Sequence, residues 1–248
     1  MKSPRPEPPP RRPGPVNSAD PHCEPDPKES LLSRRHAIFR ALALAGGAAI
    51  TLRGFDTRGA DLDSTPENVL GPFYPLEKPV DRDADLSRVR GRKGRAAGSL
   101  IELSGRVVNL RGEPIRDVRL EIWQANTYGR YAHRYDESGL REDPNFQGFA
   151  VQKTDREGRF AFRSVKPGAY PAEPGWVRPP HIHFQVQSRV NRLVTQMFFP
   201  GEPLNEKDRL FLSLGKYAPV AVARLLPPDS NSEPGAIQLG WDIVLYER

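Results

Sequence analysis

The residues that could do chemistry in this 248-residue chain are two histidines one position apart and two loop tyrosines. His181-Ile182-His183 opens a run that reads as a strand. Side chains alternate along a strand, so both imidazoles project from one face while Ile182 goes to the other. That makes a two-point metal clamp, although a pair of structural histidines at a strand end fits the same spacing. Tyr131 follows Gly129-Arg130, and Tyr170 follows Lys166-Pro167-Gly168-Ala169, each in a loop just after a strand-like run. A phenolate is a hard anionic donor that favours a trivalent over a divalent cation. Loop tyrosines also serve simply as packing residues.

The rest of the composition narrows the donor set. The single cysteine, Cys23, lies near the N-terminus, so neither a disulfide framework nor a thiolate cluster can be built. A cupin also uses a His-x-His pair, but that fold supplies a glutamate shortly after it, where this chain has Gln185, Gln187 and Ser188. A zinc hydrolase would need a third ligand, and His133 is the only spare histidine in the body of the chain. No glycine-rich phosphate loop, serine nucleophile elbow or internal repeat is found, so nucleotide chemistry has no support.

The elements that must position these residues read as short strands. Leu100 to Val108 alternates, and Asn109-Leu110-Arg111-Gly112-Glu113-Pro114 is a turn signal. Val118 to Trp123 alternates again, which predicts a hairpin. Asp155-Arg156-Glu157-Gly158 separates a second pair, Phe149 to Thr154 and Arg159 to Phe162. Later runs are His181 to Gln187, Leu193 to Phe199 and Ile237 to Tyr246, while Leu204 to Leu214 and Pro219 to Leu226 read equally as short helices or loops. With 27 Pro and 21 Gly punctuating the chain, the expectation is an all-β sandwich of short, mostly antiparallel strands.

Residues 1–60 form a separate leader. Ten prolines in residues 1–32 and few large apolar side chains leave too little surface to bury, so this stretch is expected to be disordered. Ser33-Arg34-Arg35-His36-Ala37-Ile38-Phe39, followed by the small apolar run Ala41 to Leu52, resembles a twin-arginine export signal. Ala37 stands where that motif usually has a bulky apolar residue, and no clean small-x-small cleavage site precedes Asp61. The run is too short and too glycine-interrupted for a membrane span. Export to the periplasm or the medium is the expectation, with a cytoplasmic location if the leader is not recognised.

The net charge of +6 does not argue for nucleic acid. Nine Lys or Arg against five Asp or Glu lie in residues 1–53, leaving 28 against 26 in the nearly balanced remainder.

A set of ordered blocks carries a family resemblance. They are Gly71-Pro72-Phe73-Tyr74-Pro75, Leu120-Glu121-Ile122-Trp123-Gln124-Ala125-Asn126, Gly129-Arg130-Tyr131, Asp143-Pro144-Asn145-Phe146, Lys166 to Pro171, Arg178-Pro179-Pro180-His181-Ile182-His183 and Thr195-Gln196-Met197-Phe198-Phe199. Together they resemble the intradiol ring-cleavage dioxygenases, above all the iron-bearing protocatechuate 3,4-dioxygenase type, over roughly residues 65–248.

The resemblance implies a catalytic domain over residues 61–248. It implies Fe(III) held by Tyr131 and His181 as the equatorial pair and by Tyr170 and His183 as the axial pair. Arg178 and Gln196 match the active-site arginine and glutamine, and Tyr170 would also take a substrate proton. The partners implied are a catechol-type substrate, favoured to be protocatechuate-like, and dioxygen, the product a cis,cis-muconate-type diacid. A homo-oligomer, or a hetero-oligomer with a related subunit, is compatible with it. One departure concerns the tryptophan that often follows the Tyr-Pro pair: here Pro171-Ala172 follow, and Trp176 is displaced toward the arginine, which leaves substrate choice open. A transthyretin-like binding module is the non-catalytic reading of the same sandwich.

Overall fold

The computed structural model describes residues 61–228, 230 and 232–247. The expected leader, with the twin-arginine-like segment read in it, lies outside them.

Among the described residues eleven strands run in the order β1 (Leu100–Asn109), β2 (Arg119–Trp123), β3 (Phe149–Lys153), β4 (Arg159–Val165), β5 (Tyr170–Glu173), β6 (Trp176–Arg178), β7 (His181–Gln187), β8 (Arg192–Phe198), β9 (Arg224–Leu225), β10 (Ile237–Gly240) and β11 (Ile243–Leu245). Among the described residues helical structure is confined to α1 (Arg209–Leu212) and two 3₁₀ turns, Asn205–Lys207 and Gly215–Ala221. Two sheets face each other, as in a sandwich. One has β1 at its centre with β4, β9, β10 and β11, and the other runs β3-β2-β7-β8, antiparallel throughout. Alternate residues of each inner face meet in one apolar core, including Ile101 and Leu103 of β1, Leu120 and Ile122 of β2, and Ile182 and Phe184 of β7.

Both hairpins expected from the sequence are corners between the sheets. β1 pairs with β4 along one edge and with β10 and β11 along the other, so no edge is left for β2. The turn after β1 does form, with Gly112 N–H donating to the Asn109 carbonyl at 2.9 Å and a single bridge from Val108 to Pro114. Asp117, at φ +58°, then turns the chain into the second sheet. β3 and β4 part in the same way across the Asp155 turn, β3 joining β2 and β4 joining β1. Alternation records which residues face the core, and both members of each pair face the same core from opposite sides.

β10 and β11 are one parallel strand interrupted at Trp241-Asp242, because the pair Val107 and Ile243 continues the register of Ser104 and Gly240. At the interruption the Trp241 carbonyl presses on β1, and a Cβ on Gly105 would lie 1.8 Å from that oxygen. Gly105→Ala is therefore expected to destabilise the fold by about 3 kcal/mol, at the upper end of overpacking costs. A urea-unfolding midpoint within error of the wild type would contradict this.

On β7 the alternation places Ile182, Phe184 and Val186 in the core and turns His181 and His183 outward. Both histidines are nonetheless buried, because the segment 66–78, the loop 124–148 and the β5–β6 hairpin cover that outer face.

Candidate metal centre

Two glycines bring the tyrosine-bearing loops together. The first loop is built on Asn126, whose Oδ1 accepts from the N–H groups of Tyr128 and Arg130 at 2.8 and 3.1 Å. The Tyr131 N–H is fixed by Asp136 Oδ2 at 2.7 Å. Gly129 has φ +85°, and a Cβ there would meet the Ala169 carbonyl at 2.5 Å. A Cβ on Gly168 would meet the Thr127 carbonyl at 2.5 Å. Without side chains at these points the two backbones lie against each other, and Gly168 N–H donates to the Asn126 carbonyl at 2.9 Å. Tyr131 stays in its loop, while Tyr170 is the first residue of β5 and not a loop residue as the sequence had suggested.

The result is a cluster of four donors. Tyr131 Oη lies 3.3 Å from His181 Nε2, which lies 3.1 Å from His183 Nε2. The Tyr131 and Tyr170 rings meet edge to face at 5.4 Å, and the Tyr170 ring lies 5.8 Å from the His181 ring. His181 Nδ1 is 2.7 Å from the Pro179 carbonyl. A carbonyl only accepts, so Nδ1 carries the proton and the Nε2 lone pair points into the cluster.

The electrostatics suit a cation. Burial, together with the nearby Arg178 charge, holds His181 well below its ordinary range and takes His183 to about 3, so both imidazoles are neutral with lone pairs free. Burial pushes the Tyr131 phenol well above its usual value, with Tyr170 beside it adding to the rise. Burial also raises Tyr170, against the pull of Arg178. Two buried phenols will not ionise in such a place on their own, whereas a trivalent cation between them and the imidazoles reverses that preference. Two phenolates and two neutral imidazoles match a hard, highly charged ion.

Arg178 and Gln196 belong to the same cluster. Arg178, on β6, pairs in register with Tyr170, and Gln196, on β8, pairs with His183. Arg178 Nη2 donates to Gln196 Oε1 at 2.6 Å, and Gln196 Nε2 donates to the Val69 carbonyl at 3.0 Å. Sequence reasoning missed Asp208. It is fully buried and accepts from Arg178 Nε at 3.0 Å, Arg178 Nη2 at 3.2 Å and Trp176 Nε1 at 3.0 Å. It also caps α1 by accepting from the Phe211 N–H at 3.2 Å. An acidic residue ahead of a short helical run was the one signal that could have found it. The displaced Trp176 is thus tied to the Arg178–Asp208 pair.

Phe73 was also passed over except as part of a motif, and it stacks on Tyr131 at 4.5 Å. His133 takes no part: its ring packs edge-on to Phe73 at 5.8 Å and beside Tyr135. Among the described residues no three His, Cys, Asp or Glu side chains gather to hold a metal. No helix among the described residues is long and apolar enough to cross a membrane.

The sequence profile of a family described as Dioxygenase matches residues 69–247. The chain is 39% identical over 181 residues to the protocatechuate 3,4-dioxygenase beta chain of Burkholderia cepacia, across 71% of this chain and 77% of that one. It is 29% identical over 236 residues to catechol 1,2-dioxygenase 1 of Acinetobacter lwoffii, across 90% of this chain and 69% of that one. Among solved structures, the dioxygenase domain of a carbohydrate-binding fusion from Streptomyces sp. SirexAA-E aligns with a TM-score of 0.55 at 28% identity, over 74% of this chain and 99% of that one. Hydroxyquinol 1,2-dioxygenase from Pseudomonas putida DLL-E4 aligns with a TM-score of 0.59 over 75% of this chain and 68% of that one, and at 20% identity it shows the shared fold alone.

Proposed function

Because the chain belongs to the intradiol ring-cleavage dioxygenase family, we propose that it uses dioxygen to cleave a catechol-type ring between its two hydroxyl-bearing carbons, with Fe(III) held by Tyr131, Tyr170, His181 and His183. The observation that carries this reading is the convergence of Tyr131 Oη, His181 Nε2 and His183 Nε2 within 3.3 Å steps beside the Tyr170 phenol. A binding module has no use for two phenols buried against two imidazoles.

Bound there, ferric iron would supply Lewis acidity that draws electron density from a catecholate. The protein's own groups do the rest. The Tyr170 oxygen, once ionised, can accept one of the catechol's two hydroxyl protons, the nearby Arg178 charge favouring its phenolate against the effect of burial. Arg178 sets a permanent positive charge beside the place where negative charge gathers on the substrate ring, and Asp208 with Gln196 fixes its orientation. Phe73 and Trp123 wall the cluster with apolar surface and keep water away from it. A protocatechuate-like substrate fits best with the 39% identity to the beta chain of the protocatechuate enzyme.

The visible spectrum of protein purified with iron tests this proposal. A phenolate-to-ferric band should colour it red, and anaerobic catechol or protocatechuate should shift that band. A protein that stays colourless and inert after ferric loading would overturn the oxygenase reading and leave a sandwich used for binding.

A further inference from the structure

The two histidines are held in different ways. His181 gives its Nδ1 proton to the Pro179 carbonyl at 2.7 Å, whereas the buried Nδ1 of His183 has no hydrogen-bond partner among the described residues. An imidazole whose Nε2 faces a metal carries its proton on Nδ1, and such a ligand ordinarily passes that proton to a carboxylate or carbonyl that fixes the ring's rotation. Among the described residues no protein acceptor fixes the His183 ring in that way.

Packing holds it instead. The Trp123 ring lies 4.9 Å from the His183 ring with the two planes only 9° apart. On β2 and β7 the two residues are register partners, so the sheet itself holds them face to face. The Gly71 backbone lodges against the same imidazole, since a Cβ on Gly71 would stand 3.1 Å from His183 Cε1.

Trp123 is held by packing in turn, for its own Nε1 also lacks a partner among the described residues. Tyr74 meets it edge-on at 5.0 Å, and the Tyr74 hydroxyl donates to Glu121 Oε2 at 2.6 Å. Glu121 is a buried carboxylate two residues before Trp123, on the same outward face of β2. Its Oε1 accepts from Lys78 Nζ at 2.6 Å and from Arg119 Nη2 at 2.7 Å. Both Gly71 and Tyr74 belong to segment 66–78, one of the elements that cover the outer face of the sheet.

We infer that Trp123 is the positioning residue for His183, its flat ring setting the imidazole rotation in place of a hydrogen-bond acceptor, with Tyr74 and Glu121 holding Trp123 in turn. The inference rests on the proposed iron site. It makes retention of the metal depend on the shape of residue 123 and on a carboxylate that touches neither substrate nor metal.

The test uses the full chain loaded with ferric iron and two readouts other than turnover: the position and width of the phenolate-to-ferric band, and the rate of iron loss to a competing chelator. Trp123→Leu should lose iron about 10–100-fold faster than the wild type, the usual effect of removing the group that orients a ligand, and should broaden the band. Trp123→Phe keeps a flat ring in place and should fall much closer to the wild type. Glu121→Gln and Tyr74→Phe should shift both readouts in the same direction as Trp123→Leu by a smaller factor, and they remain informative if Trp123→Leu does not fold. A wild type that never acquires the band sinks the iron site and this inference with it. A coloured wild type beside variants with unchanged band and iron loss overturns the inference alone.

Discussion

The Tyr131→Phe protein is expected to fold normally, to lose most of the red colour of the ferric protein because Tyr170 alone can then supply a phenolate band, and to lose turnover by at least about 10³-fold, more than the 10–100-fold typical of losing a mere neighbour of a ligand. The substitution removes one oxygen and leaves the ring. Stacking of Phe73 on residue 131 at 4.5 Å is retained, as is the backbone bond to Asp136 that fixes the loop. The phenol's own hydrogen bonds account for about 1 kcal/mol of stability, too little to unfold a domain with a core spanning two sheets. At the cluster the change is large. His181 Nε2 loses its neighbour at 3.3 Å, and the negative charge that residue 131 would offer a trivalent ion disappears. Metal content, the visible spectrum and kcat measured on one preparation, with thermal unfolding as the control, separate this outcome from simple misfolding. Retained turnover with bound iron would remove Tyr131 from the ligand set.

How far these residues could be read from the sequence depended on whether the determinant was local. The outward pair on β7 follows from alternation alone, because the period of a strand is a property of the backbone, and the strand runs over the residues expected, His181 to Gln187. The tyrosines stood out by their chemistry as loop donors, but only the ordered motifs joined them to the histidines. What brings them together, the contact of two loops at Gly129 and Gly168, joins positions about 40 residues apart and leaves no periodic trace. Strand pairing was misread for the same reason: β1 and β2 alternate as hairpin partners would, and only the occupation of both β1 edges by β4, β10 and β11 sends β2 elsewhere. The parallel edge made by β10 and β11 is likewise a long-range pairing. Asp208 was invisible as a functional residue because an acidic residue in a loop is ordinary until the fold buries it against an arginine.

That buried pair is the basis of the second large effect. Arg178→Met is expected to lower kcat by about 10²–10³-fold, the cost of removing one preorganised charge or donor from a water-excluded site. It should also destabilise the protein by about 3–5 kcal/mol, because Asp208 would stay buried with its counter-ion gone. The two losses have different origins and can be pulled apart. Adding Asp208→Asn removes the stranded charge and keeps one oxygen for the Trp176 indole N–H, at the cost of the bond that Oδ2 accepts from the Phe211 N–H, about 1 kcal/mol. The double variant should therefore recover most of the lost stability and none of the lost kcat. Arg178→Lys should resemble Arg178→Met in rate, since an ammonium cannot match the planar fork that reaches Asp208 through Nε and Gln196 through Nη2 together. Unfolding midpoints and kcat for the three proteins decide the matter. If activity returns along with stability in the double variant, Arg178 serves only to neutralise Asp208. If stability returns and activity does not, its charge acts on the bound substrate.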